Sequence, residues 1–303
     1  MAAVAFTATD LGHAYGDVVA LHHMNLEVPP GRVGLVGANG AGKTTFIKIL
    51  LGILEPTVGS VSVLGTDPAV DLGAVRNRIG SMPEGDCRPL AQSAADFVSY
   101  AAELAGIPPS EARQRASDIL TMVGLHEERF RYLGDFSTGM KQRAMLAQAI
   151  VHDPEIVFLD EPTAGLDPAG REEMLELIGR LGSFGINVLV SSHVLPDIER
   201  TCDWVVMLDG GQVLRNGPLS SLIETDVVEF EVVSDADAVA AELHRLGGIV
   251  EIQGNVLILS ADGRDPFILA RDALAATGAP LRRMGARSTT LEDIFLGEAP
   301  SND

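Results

Sequence analysis

The stretch VGLVGANGAGKTTFIKILLG, Val33 to Gly52, passes from an apolar run through a glycine-rich turn into a segment that is apolar at helical spacing. A short apolar run bounded by glycines reads as a buried strand, and the segment after the turn reads as a helix. Gly37, Gly42, Lys43 and Thr44 fit G-x-x-x-x-G-K-[ST] between them, the pattern of a phosphate-binding loop. Its glycines let backbone N–H groups turn toward phosphate oxygens, and the helix N-terminus adds its positive end. Lys43 is placed to reach the β and γ oxygens and the Thr44 hydroxyl to face Mg²⁺. Asn39, Gly40, Ala41 and Thr45 complete the loop residues expected at the nucleotide.

Two more apolar runs, EIVFLD and INVLVSSH, alternate with helix-like segments. This predicts an α/β core with a mostly parallel sheet, each strand ending at polar residues where ligands of such sheets bind. Between them, from about residue 85 to 150, lies an Ala-rich helical insertion. Pro108 and Pro109 break it, and Ser110 is a candidate cap for its next helix.

From residue 226 the texture changes. VVEFEVV alternates, DADAVAAELHRLG is helical, GIVEIQGNVLILSA reads as two strands around a Gly-Asn turn, and PFILARDALAATG and PLRRMGARS come after them. That order, β-α-β-β-α-β, is the ferredoxin-like pattern, so residues 226–303 form a small α+β domain after a 1–225 core, with TTLEDIFLG as a closing helix.

Composition limits the partners. With 22 basic against 42 acidic residues the net charge is −20, which repels nucleic-acid backbones and anionic membrane surfaces over most of the exterior. A phosphate ligand must then be held locally. Cys87 and Cys202 stand in no metal or redox spacing and read as free thiols. No uncharged apolar run is long enough for a membrane span, and the N-terminus lacks the form of an export signal.

Downstream of the phosphate loop, EIVFLDEPT ends a strand on two adjacent carboxylates, Asp160 and Glu161. Taken alone, such a pair is a solvated turn. Beside a phosphate loop it gains a purpose: Asp160 supports Mg²⁺ while Glu161 orients or deprotonates an attacking water. FSTGMKQRAMLAQAIVHDP puts Ser137 and Gly139 at the start of another helix, which is an anion site by its dipole and equally an ordinary Ser-capped helix.

The ordered set of motifs resembles the ATPase subunit of ATP-binding cassette (ABC) transporters. GANGAGKTT is similar to the Walker A loop, FSTGMKQR to the signature, IVFLDEP to Walker B, AGLD (Ala164 to Asp167) to the D-loop and SSH (Ser191 to His193) to the switch histidine. The resemblance runs from Tyr15, matching the adenine-stacking aromatic, to about residue 225. Beyond it, LEDIFL at 291–296 resembles the extension found in ATPases of type-2 exporters. The resemblance implies ATP and Mg²⁺ as ligands and a head-to-tail dimer, with a second copy or a paralogous subunit. In it, Ser137 and Gly139 of one chain cap the γ-phosphate held on Lys43 of the other. It further implies that His193 contacts the γ-phosphate and that Asp167 works across the dimer interface.

Two departures stand out. The family commonly carries Gln in the loop joining core and helical subdomain, where IGSMPEG offers Glu84, an oxygen ligand able to serve Mg²⁺. The signature has Thr138 and Met140 in place of Gly and Gln, while Ser137 and Gly139 are kept.

The expected function is therefore ATP hydrolysis that powers a separate membrane permease. The chain would sit at the cytoplasmic face of the membrane through that permease, with no nucleic acid as partner and export as the direction. The alternative is a soluble ABC ATPase acting on a non-membrane complex, but the doubled cassettes or inserted coiled coils of such proteins are missing from this sequence. A GTPase switch would need an Asn-Lys-x-Asp motif. The C-terminal domain is read as a dimer or permease contact ahead of a ligand sensor.

Overall fold

Alternating polarity drives the first strands into an antiparallel sheet, whereas the uninterrupted apolar runs build a parallel one. The computed structural model describes residues 4–85, 89–222, 227–261, 264–287 and 291–292. The chain divides into two compact units, Met1–Leu219 and Ser220–Asp303. The boundary read from the sequence, between 225 and 226, falls just beyond that division.

The first unit opens with β1 (Phe6–Tyr15), β2 (Val18–Val28), β3 (Arg32–Val36), α1 (Lys43–Leu50) and β4 (Val58–Val63). Strands β2, β1 and β4 pair antiparallel in that order. After α2 (Leu72–Arg76) and β5 (Ile79–Met82) come the three helices of the expected insertion, α3 (Ala94–Leu104), α4 (Pro109–Met122) and α5 (Thr138–Ile150). The unit continues through β6 (Ile156–Asp160), α6 (Pro168–Leu181), β7 (Asn187–Ser192), α7 (Leu195–Thr201), β8 (Trp204–Asp209) and β9 (Gln212–Pro218). The larger sheet has the order β5-β6-β7-β3-β8-β9, parallel except for β9.

Helix α1 belongs to a core shared by both sheets. Phe46 meets Phe6 of β1 edge-on at 6.1 Å, and Phe6 lies 6.5 Å from Phe158 of β6. All three rings are buried, each contributing about 1.5–3 kcal/mol. Truncating Phe158 to Ala would cost about 3–5 kcal/mol and loosen the strand that carries the two acids.

In the helical insertion, Ser93 caps α3 by accepting the Asp96 N–H. The expected cap at Ser110 is corrected: α4 begins at Pro109, and Pro108 occupies the cap position without a side-chain hydrogen bond. Proline suits the first helical position because its missing N–H would be unpaired there anyway, which moves the start upstream of Ser110.

The second unit follows α8 (Leu219–Leu222) with β10 (Val227–Val232), α9 (Ala236–Arg245), β11 (Ile249–Gln253), β12 (Val256–Ser260), α10 (Pro266–Thr277) and β13 (Leu281–Arg287). Its antiparallel sheet runs β11-β12-β10-β13, and Gly254 and Asn255 turn the hairpin between β11 and β12. Its core joins Val228, Phe230 and Leu259 of the sheet to Val239, Leu243 and Ala270 of the two helices. This is the ferredoxin-like arrangement expected. Of the closing helix, Leu291 and Glu292 are helical; the remainder, and Cys87, lie outside the described residues.

Candidate functional site

Strand β3 is buried almost throughout and delivers the chain to Gly37 at the carboxyl edge of the parallel sheet. A Cβ at Gly37 would lie 2.4 Å from the Leu208 carbonyl oxygen, so only glycine lets the loop leave between β3 and β8. Gly42, with φ of 100°, turns the chain directly into α1, whose first residue is Lys43. Lys43 is 6% exposed, and its ammonium donates to the carbonyls of Gly37 at 2.7 Å and Ala38 at 3.3 Å. It also lies 3.7 Å from Oε1 of Glu161.

Parallel pairing brings the other groups to the same edge. Asp160, the last residue of β6, is in register with Ser191 of β7, while Val36 of β3 is in register with Ser192. Ser191 Oγ donates to Asp160 Oδ1 at 2.5 Å and accepts the Glu161 N–H at 2.9 Å. Glu161 adopts a left-handed backbone, φ 50°, a conformation that costs a non-glycine residue about 1–3 kcal/mol and collects at functional sites. Its carboxylate accepts a hydrogen bond from His193 Nδ1 at 2.9 Å. His193 follows β7 in a turn that Ser192 fixes by accepting the Val194 N–H.

These side chains enclose a cavity of about 380 Å³ lined by Ala20, residues 39–45, Glu84, Glu161, Ala164 and His193. Glu84 reaches it from the exposed loop after β5. Asp160, the residue before Glu161, does not line it and is 3% exposed. The donor set fits a nucleoside triphosphate and a divalent cation. A buried ammonium satisfied only by loop carbonyls and a nearby carboxylate is ready for stronger acceptors, and the Thr44 hydroxyl with one or two carboxylates is what Mg²⁺ takes beside substrate phosphates. Among the described residues no cluster of three or more His, Cys, Asp or Glu side chains holds a metal by itself.

Other expected site residues lie elsewhere. Tyr15, at the end of β1, is 48% exposed and packs edge-on against His13 at 4.6 Å. Ser137 caps α5 by accepting the Met140 N–H at 3.3 Å. Gly139 sits in the first turn of α5, with the Leu166 side chain beside it. The signature turn thus packs against Gly165 and Leu166, and none of residues 137–140 lines the cavity. Asp167 caps α6 by accepting the Gly170 N–H at 3.0 Å.

Two features escape a reading of the sequence. Ser191 stands out there only as part of a motif, although register alone sets it beside Asp160. Asp197, at 3% exposure, accepts from Thr163 Oγ1 at 3.0 Å and from Arg171 Nε at 2.7 Å, joining α7 to the segment after Glu161 and to α6. No local spacing signals that bond.

A family model described as ABC transporter matches residues 21–164. The chain is 37% identical to the bacitracin transport ATP-binding protein of Bacillus licheniformis over 76% of each chain. It is 32% identical to a Nod factor export ATP-binding protein of Burkholderia orbicola, covering 93% of this chain and 92% of the relative. A solved ATP-binding subunit of an ABC transporter superposes with a TM-score of 0.65 at 30% identity, covering 72% of this chain and 91% of that one.

Proposed function

This chain belongs to the ABC transporter ATP-binding proteins, and from that premise we propose that it hydrolyses ATP to power export through a separate membrane permease. The observation that carries the reading is the convergence of Lys43, Thr44, Glu84, Glu161 and His193 on one cavity at the sheet's carboxyl edge. Export is favoured by the Nod factor export relative, which matches along nearly the whole chain, second unit included.

In this reading the N–H groups of the loop from Asn39 to Thr45 and the Lys43 ammonium bind the β and γ phosphates, and Tyr15 stacks on the base. Thr44 and Asp160 hold Mg²⁺, with Glu84 as a further oxygen contact; the ion neutralises phosphate charge when bound. Glu161 orients the attacking water and takes its proton, and His193 steadies the carboxylate that does so while contacting the γ-phosphate. Ser137 and Gly139 serve the nucleotide of a second subunit in a head-to-tail dimer, and Asp167 acts at the same interface. That none of the three lines the cavity of its own chain supports that assignment.

No helix among the described residues is long and apolar enough to cross a membrane, so the transport path belongs to the permease, as do the contacts that select the cargo. The chain works at the cytoplasmic face of the membrane, held there by that permease. The C-terminal domain read from the sequence as 226–303, within the second unit, serves as a dimer or permease contact. Phosphate release by the purified chain with ATP and Mg²⁺, before and after reconstitution in lipid with its membrane permease, tests the reading. Hydrolysis that rises in the complex supports it, and a chain with no ATP turnover in either state removes it.

A further inference from the structure

The parallel register of β6 and β7 places Ser191 at the level of Asp160, with the strained peptide of Glu161 next along. Ser191 is fully buried. Its one oxygen makes two bonds, accepting the Glu161 N–H and donating to the Asp160 carboxylate. A hydroxyl is the smallest group that can accept and donate at once, so alanine there would remove both links in a single step. Ser192 cannot replace it, since its own hydroxyl is engaged with the Val194 N–H on the way into α7.

We infer that Ser191 is a positioning residue of the hydrolysis site, whose hydroxyl locks the Glu161 backbone in its left-handed conformation and ties it to the Asp160 carboxylate. The direction of the Glu161 side chain is set by that φ. A relaxed backbone would swing the carboxylate away from His193 and from the water it acts on. Holding Asp160 through Oδ1 also fixes which way its second oxygen points. One buried hydroxyl therefore keeps the two acids in a constant relation through the Glu161 backbone, apart from the contact Lys43 makes with the Glu161 carboxylate. The inference rests on the assignment of Asp160 and Glu161 to ATP hydrolysis.

The test compares wild type with Ser191→Ala, Ser191→Thr and Ser191→Cys in full-length protein. Ser191→Ala is expected to lower kcat roughly 10- to 100-fold, the scale of a small misplacement of a reacting group. KM for ATP should stay close to wild type, because the phosphate loop is untouched. Ser191→Thr, which keeps the hydroxyl, should restore most of the rate. Independently of turnover, hydrogen exchange in nucleotide-free, Mg²⁺-free Ser191→Ala should speed up at the peptide spanning 160–163, where the Glu161 N–H has lost its acceptor. If Ser191→Ala does not fold, Ser191→Cys carries the same test, since a thiol leaves no cavity but bonds weakly. Wild-type kcat in the variant, or unchanged exchange at 160–163, overturns the inference. A wild type that does not hydrolyse ATP instead overturns the function on which it rests, and the two failures are read from different samples.

Discussion

His193 Nδ1 lies 2.9 Å from Glu161 Oε2, joining the residue after β7 to the residue after β6 across the mouth of the cavity. The same carboxylate has Lys43 Nζ 3.7 Å from its other oxygen. Glu161 thus stands between the Lys43 ammonium and the His193 ring, the place that the proposed function gives to the base for water.

Glu161→Gln keeps the size of the side chain and its hydrogen bond to His193 but removes the basic oxygen. Nucleotide binding should survive while turnover falls about 100- to 10,000-fold, the usual contribution of a positioned base. With ATP and Mg²⁺ the unhydrolysed dimer should accumulate and elute earlier on gel filtration. A variant that hydrolyses at the wild-type rate would remove Glu161 from the base role.

Lys43→Ala removes the buried ammonium that the Gly37 and Ala38 carbonyls hold in place. The charge-assisted contacts to β and γ phosphates go with it. Equilibrium binding of a fluorescent ATP analogue should weaken strongly, and turnover should fall on the order of 100- to 1,000-fold. Unchanged affinity would withdraw the loop's assignment.

Cys202 lies buried at the end of α7, and burial pushes its thiol up to about 12. In the unfolded chain a thiol titrates near ~8.5. Below that pH both states hold the proton and nothing is lost. Above it the unfolded state releases the proton first, so stability falls as pH rises, at most ~1.4 kcal/mol per pH unit from this group. Urea midpoints between pH 8 and 10.5 should therefore drop more steeply in wild type than in Cys202→Ala. Equal slopes would show that the thiol is not the group responsible.

Much of this arrangement is legible in the sequence because glycine, lysine and strand-end acids act locally. The loop at Gly37 to Thr45 needs its glycines where the backbone turns, and buried strands such as VFLD advertise themselves by unbroken apolar character. The second unit's β-α-β-β-α-β order is likewise visible, its hairpin marked by Gly254 and Asn255. Features that depend on register between distant strands stay hidden. Nothing near Ser191 in the chain says that it faces Asp160, which is set only when β6 and β7 pair. The start of α4 differs from expectation because serine at 110 and proline at 109 both favour a helix start, and the missing proline N–H wins.

Asp197→Ala tests another relationship invisible to local spacing. The change strands Arg171 and the buried Thr163 hydroxyl, both now satisfied by Asp197. Breaking a buried pair from one side costs about 3–5 kcal/mol, reduced here because Arg171 is partly exposed and can turn to water. Urea denaturation should show a loss of about 2–4 kcal/mol, larger than for Thr163→Val, which removes only the hydroxyl bond and leaves the Arg171 pair intact. Equal losses would mean that the Arg171 pair adds nothing.

Glu84 carries the last prediction, because it stands where the wider family commonly has Gln. It lines the cavity with Lys43, Thr44, Glu161 and His193, but it does so from an exposed loop that follows β5. The core and the helical subdomain meet at that loop, so a contact from Glu84 to Mg²⁺ would couple the permease's push on the helical subdomain to the reacting centre. Glu84→Ala loses the oxygen that makes the link and should reduce permease-stimulated ATPase more than basal ATPase. Glu84→Gln keeps an oxygen ligand and drops a negative charge beside the γ-phosphate, so it should preserve both activities. The measurement is turnover against Mg²⁺ concentration, with and without the permease in lipid. In Glu84→Ala the Mg²⁺ requirement should rise and stimulation should shrink together, since one atom serves both. If alanine matches wild type in both conditions, the carboxylate is a solvated turn residue and the coupling runs through other contacts of the loop.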